Sequence, residues 1–115
     1  MEYRVEFSKE AFADLNRCYI AINAFEDIQA ARWFDRFENT IASLSRLPER
    51  CKLAVEANSL RHPIRQLLFG RNADVYRVLF EINKKTSLVQ IITIRHGAMK
   101  RLSKAEYDSI VKNPN

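Results

Sequence analysis

Between residues 64 and 95 the chain carries three strand-like runs separated by connections of hairpin length, and this pattern narrows the fold most. Residues 64–69 form the first run and residues 75–82 the second, with Tyr76, Val78, Phe80 and Ile82 on one face. Residues 88–95 form the third, rich in Val and Ile. Gly70-Arg71-Asn72-Ala73-Asp74 joins the first pair, and Asn83-Lys84-Lys85-Thr86 joins the second. Consecutive strands so connected predict an antiparallel meander, which needs a cover on at least one face.

The upstream sequence supplies that cover. Residues 3–7 alternate apolar and charged side chains, as a half-buried strand does. Ser8, with Glu10 behind it, reads as a helix N-cap. Phe12, Leu15, Tyr19 and Ile22 then mark one face of a helix running to about Ala24, with Ala11 and Cys18 beside them. Asp27 reads as a second cap, and Ala30, Phe34, Phe37, Ile41 and Leu44 mark a second helix ending before Pro48. The short break between them predicts an antiparallel helical hairpin. Residues 48–63 read as a loop with a short strand at 52–56. Ser103 and Glu106 form a capping-box pattern, opening a short final helix with Tyr107, Ile110 and Val111 towards the sheet.

The expected fold class is therefore α+β, one domain over residues 1–115. An N-terminal strand leads into an antiparallel two-helix hairpin, packed on a twisted antiparallel sheet of three to four strands. A short C-terminal helix follows. The first strand joins an edge of the sheet, and the pattern does not say which.

Composition excludes several function classes. A chain of 115 residues suits one domain with a core of its own. Two cysteines cannot build a disulfide framework, and with two histidines a structural zinc site would need all four. No metal or cofactor is expected. No apolar run approaches the roughly 18 residues of a membrane span, and Met1-Glu2-Tyr3-Arg4-Val5-Glu6 has no apolar leader pattern. A cytoplasmic protein without a membrane partner is the expectation.

Charge divides unevenly. Residues 1–57 hold eight basic and ten acidic side chains, net −2, whereas residues 58–115 hold eleven and four, net +7. A polyanion or an acidic partner belongs with the second half. There, Arg77 lies inside an otherwise apolar strand, so its guanidinium must pair or reach the surface, with Glu81 a distant candidate partner. Arg65 is on the neighbouring strand, Arg71 in the connection after it, and Arg95 and His96 end the last strand. Lys100, Arg101, Lys104 and Tyr107 follow. Such a set can stabilise a phosphorane and move protons in RNA cleavage, hold phosphates without chemistry, or bind an acidic protein. Plainer roles stand beside these: His96 capping a carbonyl, Tyr107 packing on the sheet, His62 in a loop. Trp33 falls outside the apolar stripe of its helix and marks either a partner contact or the edge of the hairpin.

Three blocks then resemble the RelE/ParE superfamily of bacterial toxins. They are His62-Pro63-Ile64-Arg65-Gln66-Leu67-Leu68-Phe69-Gly70-Arg71, Val75-Tyr76-Arg77-Val78-Leu79-Phe80-Glu81-Ile82 and Ile91-Ile92-Thr93-Ile94-Arg95-His96-Gly97. The opening Tyr3-Arg4-Val5-Glu6-Phe7-Ser8 shares the likeness, which covers about residues 3–97. The resemblance implies the toxin of a type II toxin–antitoxin pair, held in a hetero-oligomeric complex by a cognate antitoxin that is acidic and partly disordered when free. It implies one of two targets. A ParE-like toxin poisons DNA gyrase and needs no catalytic residue; the sheet and the tail after Gly97 would then be the binding surface. A RelE-like toxin is an mRNA endoribonuclease at the ribosome. In that case Arg77 would stabilise the transition state, Arg65 with Lys100 or Arg101 would hold phosphates, and Tyr107 or His96 would move protons. Leu67 and Leu68 stand where a further basic residue belongs in the RNase set, and the first and third blocks are closer to ParE-like sequences. Gyrase inhibition is the favoured reading, ribosome-dependent mRNA cleavage the alternative, and a basic nucleic-acid-binding module without toxicity the third.

Overall fold

The computed structural model describes residues 2–23, 28–71, 75–97 and 99–113. Strand β1 (Arg4–Phe7) leads into helices α1 (Lys9–Asn23) and α2 (Ile28–Ala42). A short helix α3 (Glu56–Leu60) precedes strands β2 (Arg65–Phe69), β3 (Tyr76–Asn83) and β4 (Leu88–His96), and helix α4 (Lys104–Lys112) closes the chain. The four strands make one sheet in the order β1-β4-β3-β2. The meander β2-β3-β4 is antiparallel as expected. β1 joins at β4 and runs parallel to it, so the sheet is mixed rather than wholly antiparallel.

β4 is thereby central and covered on both faces, which explains its continuous apolar run in place of an alternating one. Residues 91–95 are all buried. Towards the helical hairpin, Phe34, Phe37, Ile41 and Leu44 pack against Val78, Phe80, Val89, Ile91 and Ile94. Tyr19 meets Phe34 edge-on at 5.1 Å, tying the two helices together. On the opposite face a smaller core gathers Ala54, Leu60, Ile64, Leu79, Ile92, Leu102 and Tyr107. A register shift between Leu79 and Phe80 leaves Ile92 as the extra residue of β4.

Ser8 joins the start of α1 to that irregularity. Its hydroxyl accepts from the Ala11 N–H at 2.9 Å and donates to the Ile92 carbonyl at 2.7 Å. The expected cap is therefore present and also ties the helix to the sheet. The expected cap at Asp27 lies outside the described residues, as do Ala24 and the Ile22 side chain.

Two expectations need correction. The face of α1 turned to the core is Ala11, Leu15 and Cys18, Leu15 as expected, while Phe12 is 57% and Tyr19 48% exposed. The cause is Asp14, whose carboxylate accepts from the Thr93 hydroxyl at 2.8 Å and the Ile94 N–H at 3.0 Å. Holding Asp14 against β4 turns the helix so that Phe12 faces outward. The strand expected at 52–56 shrinks to one bridge, Leu53 to Arg65, because Glu56 opens α3 instead.

Leu47 is 75% exposed, with φ 47° and ψ 54°. A left-handed backbone costs a non-glycine residue about 1–2 kcal/mol, and no burial offsets it here. Leu47→Gly should therefore raise the melting temperature by a few degrees, the relief exceeding the ~0.5–1 kcal/mol of glycine entropy. Thermal unfolding followed by circular dichroism checks it, and a fall would contradict the strain.

Candidate functional site

The face of the sheet turned away from the hairpin carries Arg77 and Arg95, with Tyr107 packed onto it. Arg77 and Arg95 are direct cross-strand neighbours on β3 and β4. Two guanidiniums so placed repel unless each is neutralised.

Each is, from below and from the tail. The Arg77 guanidinium donates to both oxygens of Glu56, Nη2 to Oε1 at 2.6 Å and Nη1 to Oε2 at 3.0 Å, and its Nε donates to Gln66 at 3.1 Å. The pair is deeply placed, the side chains being 14% and 0% exposed. Glu56 Oε2 also accepts the Leu102 N–H at 3.1 Å. Burial alone would push the Glu56 carboxyl up, but Arg77 and the Leu102 N–H hold it below the usual carboxylate range.

Arg95 is pinned in the same manner. Nη2 donates to Glu106 at 2.6 Å and Nη1 to the Lys100 carbonyl at 2.9 Å. Glu106 also accepts from the Ser103 N–H while Ser103 caps the Glu106 N–H, completing the expected capping box. Arg95 first, and the Ser103 N–H after it, hold the Glu106 carboxyl below its ordinary range. The third fastening is Tyr107, which is buried and donates its hydroxyl to Glu81. Burial and the Glu81 carboxylate both push the phenol up, so its proton stays in place at neutral pH. The His62 ring lies over Tyr107 at 4.7 Å.

The predicted residues therefore divide. Arg77, Arg95 and Tyr107 come together, but as the anchors of α4 and the segment before it. Glu81 is the partner of Tyr107, not of Arg77. Arg65 donates to the Cys51 carbonyl at 2.7 Å, bracing the loop beside β2. His96 is half-buried, edge-on to Tyr76 at 5.2 Å. Trp33 is half-buried among Phe37, Phe69 and Tyr76. Arg71, Lys100, Arg101 and Lys104 are exposed, Lys104 pairing with Asp108. Glu56 and Asp14, which hold the most, carried no signal beyond being carboxylates in a loop and on an amphipathic helix. Among the described residues, no cluster of His, Cys, Asp or Glu fits a metal ion, and no helix is long and apolar enough to cross a membrane.

The ion pairs predict acid sensitivity. Both carboxyls have folded pKa values below their unfolded one of about 4.3, so their stabilisation is present above that pH and is lost as pH falls through the folded values. Glu106→Gln should leave a protein less stable at neutral pH than the parent, with the difference shrinking below ~pH 4. Melting temperatures of the two proteins across pH 3–7 (about the range of carboxylate titration) test this; a constant difference would remove the pair from the acid response.

The sequence profile of the ParE toxin of the type II toxin–antitoxin system parDE matches residues 5–101. Among solved structures, an arginine double mutant of the E. coli toxin RelE in the free state is 14% identical, with 97% of each chain covered and a TM-score of 0.58. The toxin–antitoxin complex RelBE2 from Mycobacterium tuberculosis is 25% identical over 86% of this chain and 95% of that one, with a TM-score of 0.53. Among curated proteins, no sequence matches significantly.

Proposed function

We propose that this chain, which belongs to the ParE toxin family of type II toxin–antitoxin systems, arrests growth by binding DNA gyrase and not by cutting RNA. The observation that carries this reading is the state of Arg77. An RNase of the RelE kind needs the strand arginine free to meet a phosphorane. Here its Nε, Nη1 and Nη2 all donate within the protein, to Gln66 and Glu56. A guanidinium paired with a buried carboxylate brings little net charge to a transition state.

One of the two proton-transfer candidates, Tyr107, points the same way. Tyr107 is buried with its hydroxyl on Glu81, and burial raises its pKa further. A general acid works best when its pKa lies near the operating pH, and this phenol is far above it. A binding surface needs none of this chemistry. It needs a fixed shape and exposed charge, which the docked tail provides.

As a type II toxin, the chain works against a cognate antitoxin. The +7 second half suits an acidic partner that orders on binding. Gyrase and antitoxin then compete for toxin, so the antitoxin neutralises by sequestration.

Purified toxin, gyrase, supercoiled plasmid and ATP, with linear DNA scored after protein removal, test the target. Linear product that disappears when antitoxin is added is expected. Growth arrest by a toxin that leaves gyrase activity intact would overturn the reading and favour mRNA cleavage at the ribosome.

A further inference from the structure

Between β4 and α4, main-chain groups of Gly97, Met99, Lys100 and Leu102 are each held by a hydrogen bond. Gly97 donates its N–H to the Val75 carbonyl at 2.6 Å, and a Cβ added there would sit 3.1 Å from that oxygen. Met99 donates to the His96 carbonyl at 2.9 Å. Next, the Lys100 carbonyl is held by Arg95, and the Leu102 N–H by Glu56. Both holders are themselves in ion pairs with 0–14% exposure on their buried members. The backbone is thus clamped on both sides of Arg101.

What the clamped segment displays is two cations. Lys100 and Arg101 are both exposed. Nearby acids are already engaged: Glu56 by Arg77, Glu106 by Arg95, Asp108 by Lys104 and Glu81 by Tyr107. Among the described residues no carboxylate pairs with either cation, so their charge faces outward uncompensated. A flexible cationic loop loses conformational entropy when it binds; this one has its backbone fixed beforehand. Two cations on one held stretch of main chain suit a ligand of repeated negative charge, such as the phosphates along a duplex.

We infer that Lys100 and Arg101 form a preorganised contact for the phosphate backbone of duplex DNA, the DNA that the target holds. This rests on the gyrase reading above. Glu56 and Arg95 serve it as positioning residues, because they fix the main chain that carries the two cations.

The test uses the exposed pair, whose truncation spares the core. Lys100→Ala with Arg101→Ala is compared with the parent in three assays: conversion of plasmid to linear DNA by gyrase, binding of a short fluorescent DNA duplex across a salt series, and binding of antitoxin. The double variant should keep its melting temperature, and its loss of antitoxin affinity should be smaller than its loss of activity on gyrase. It should need about tenfold more protein to produce linear DNA, and its log K against log salt should be shallower by about 2, one unit per lost phosphate contact.

Unchanged linear product and an unchanged slope would overturn the inference. So would a loss confined to antitoxin binding, which would give the segment to the acidic protein. A slope change seen on single-stranded RNA but not on the duplex would overturn it in favour of RNA. A parent protein that leaves gyrase untouched overturns the reading beneath, and the duplex arm alone then decides the segment.

Discussion

The carboxylate of Glu56, buried under the sheet, connects three parts of the chain that are far apart in sequence. It takes two hydrogen bonds from Arg77 on β3 and one from the main chain at Leu102, and it sits at the start of α3. Burying such a pair is not in itself a gain, since desolvation of both ions offsets much of their attraction. Breaking it is another matter, because the remaining charge stays buried, at a cost of about 3–5 kcal/mol. The consequence is positional. With Glu56 in place, α3, the middle strand and the tail have one arrangement.

Arg95 and Glu106 repeat the arrangement one strand over, and Tyr107 and Glu81 complete it. A sheet face that would otherwise show two adjacent guanidiniums becomes the seat of α4. The charges of Arg77 and Arg95 are neutralised there, and the exposed cations nearby are Lys100 and Arg101. The strand arginine Arg77 is thereby held by a carboxylate from the start of α3, before the meander.

Much of the fold was legible in the sequence. The meander, both hairpin helices, the Ser8 cap and the Ser103–Glu106 box follow from local patterns, and local hydrogen bonds realise them. The parallel partner of β1 was not legible, because strand pairing across the chain leaves no local trace. Neither was the rotation of α1. An apolar stripe through Phe12 and Tyr19 was as well formed as the one through Ala11 and Cys18, and only Asp14 reaching the Thr93 hydroxyl and Ile94 N–H decides between them. For the site, the sequence identified the cations but not what meets them. Arg77 had to find a partner; that the partner is Glu56, from a loop of weak periodicity, depends on a contact between residues 21 positions apart.

The central claim is that Arg77 serves through its pairing and not as a chemical group. Replacing both members together tests it most directly, with Arg77→Met for the cation and Glu56→Gln to keep an acceptor for the Leu102 N–H. The measurement is growth arrest on induction in cells lacking antitoxin, with folding and antitoxin binding of the purified variant checked in parallel. The account predicts a folded, antitoxin-binding protein that still arrests growth. A folded, antitoxin-binding variant that no longer arrests growth would contradict it and return the guanidinium to the chemistry.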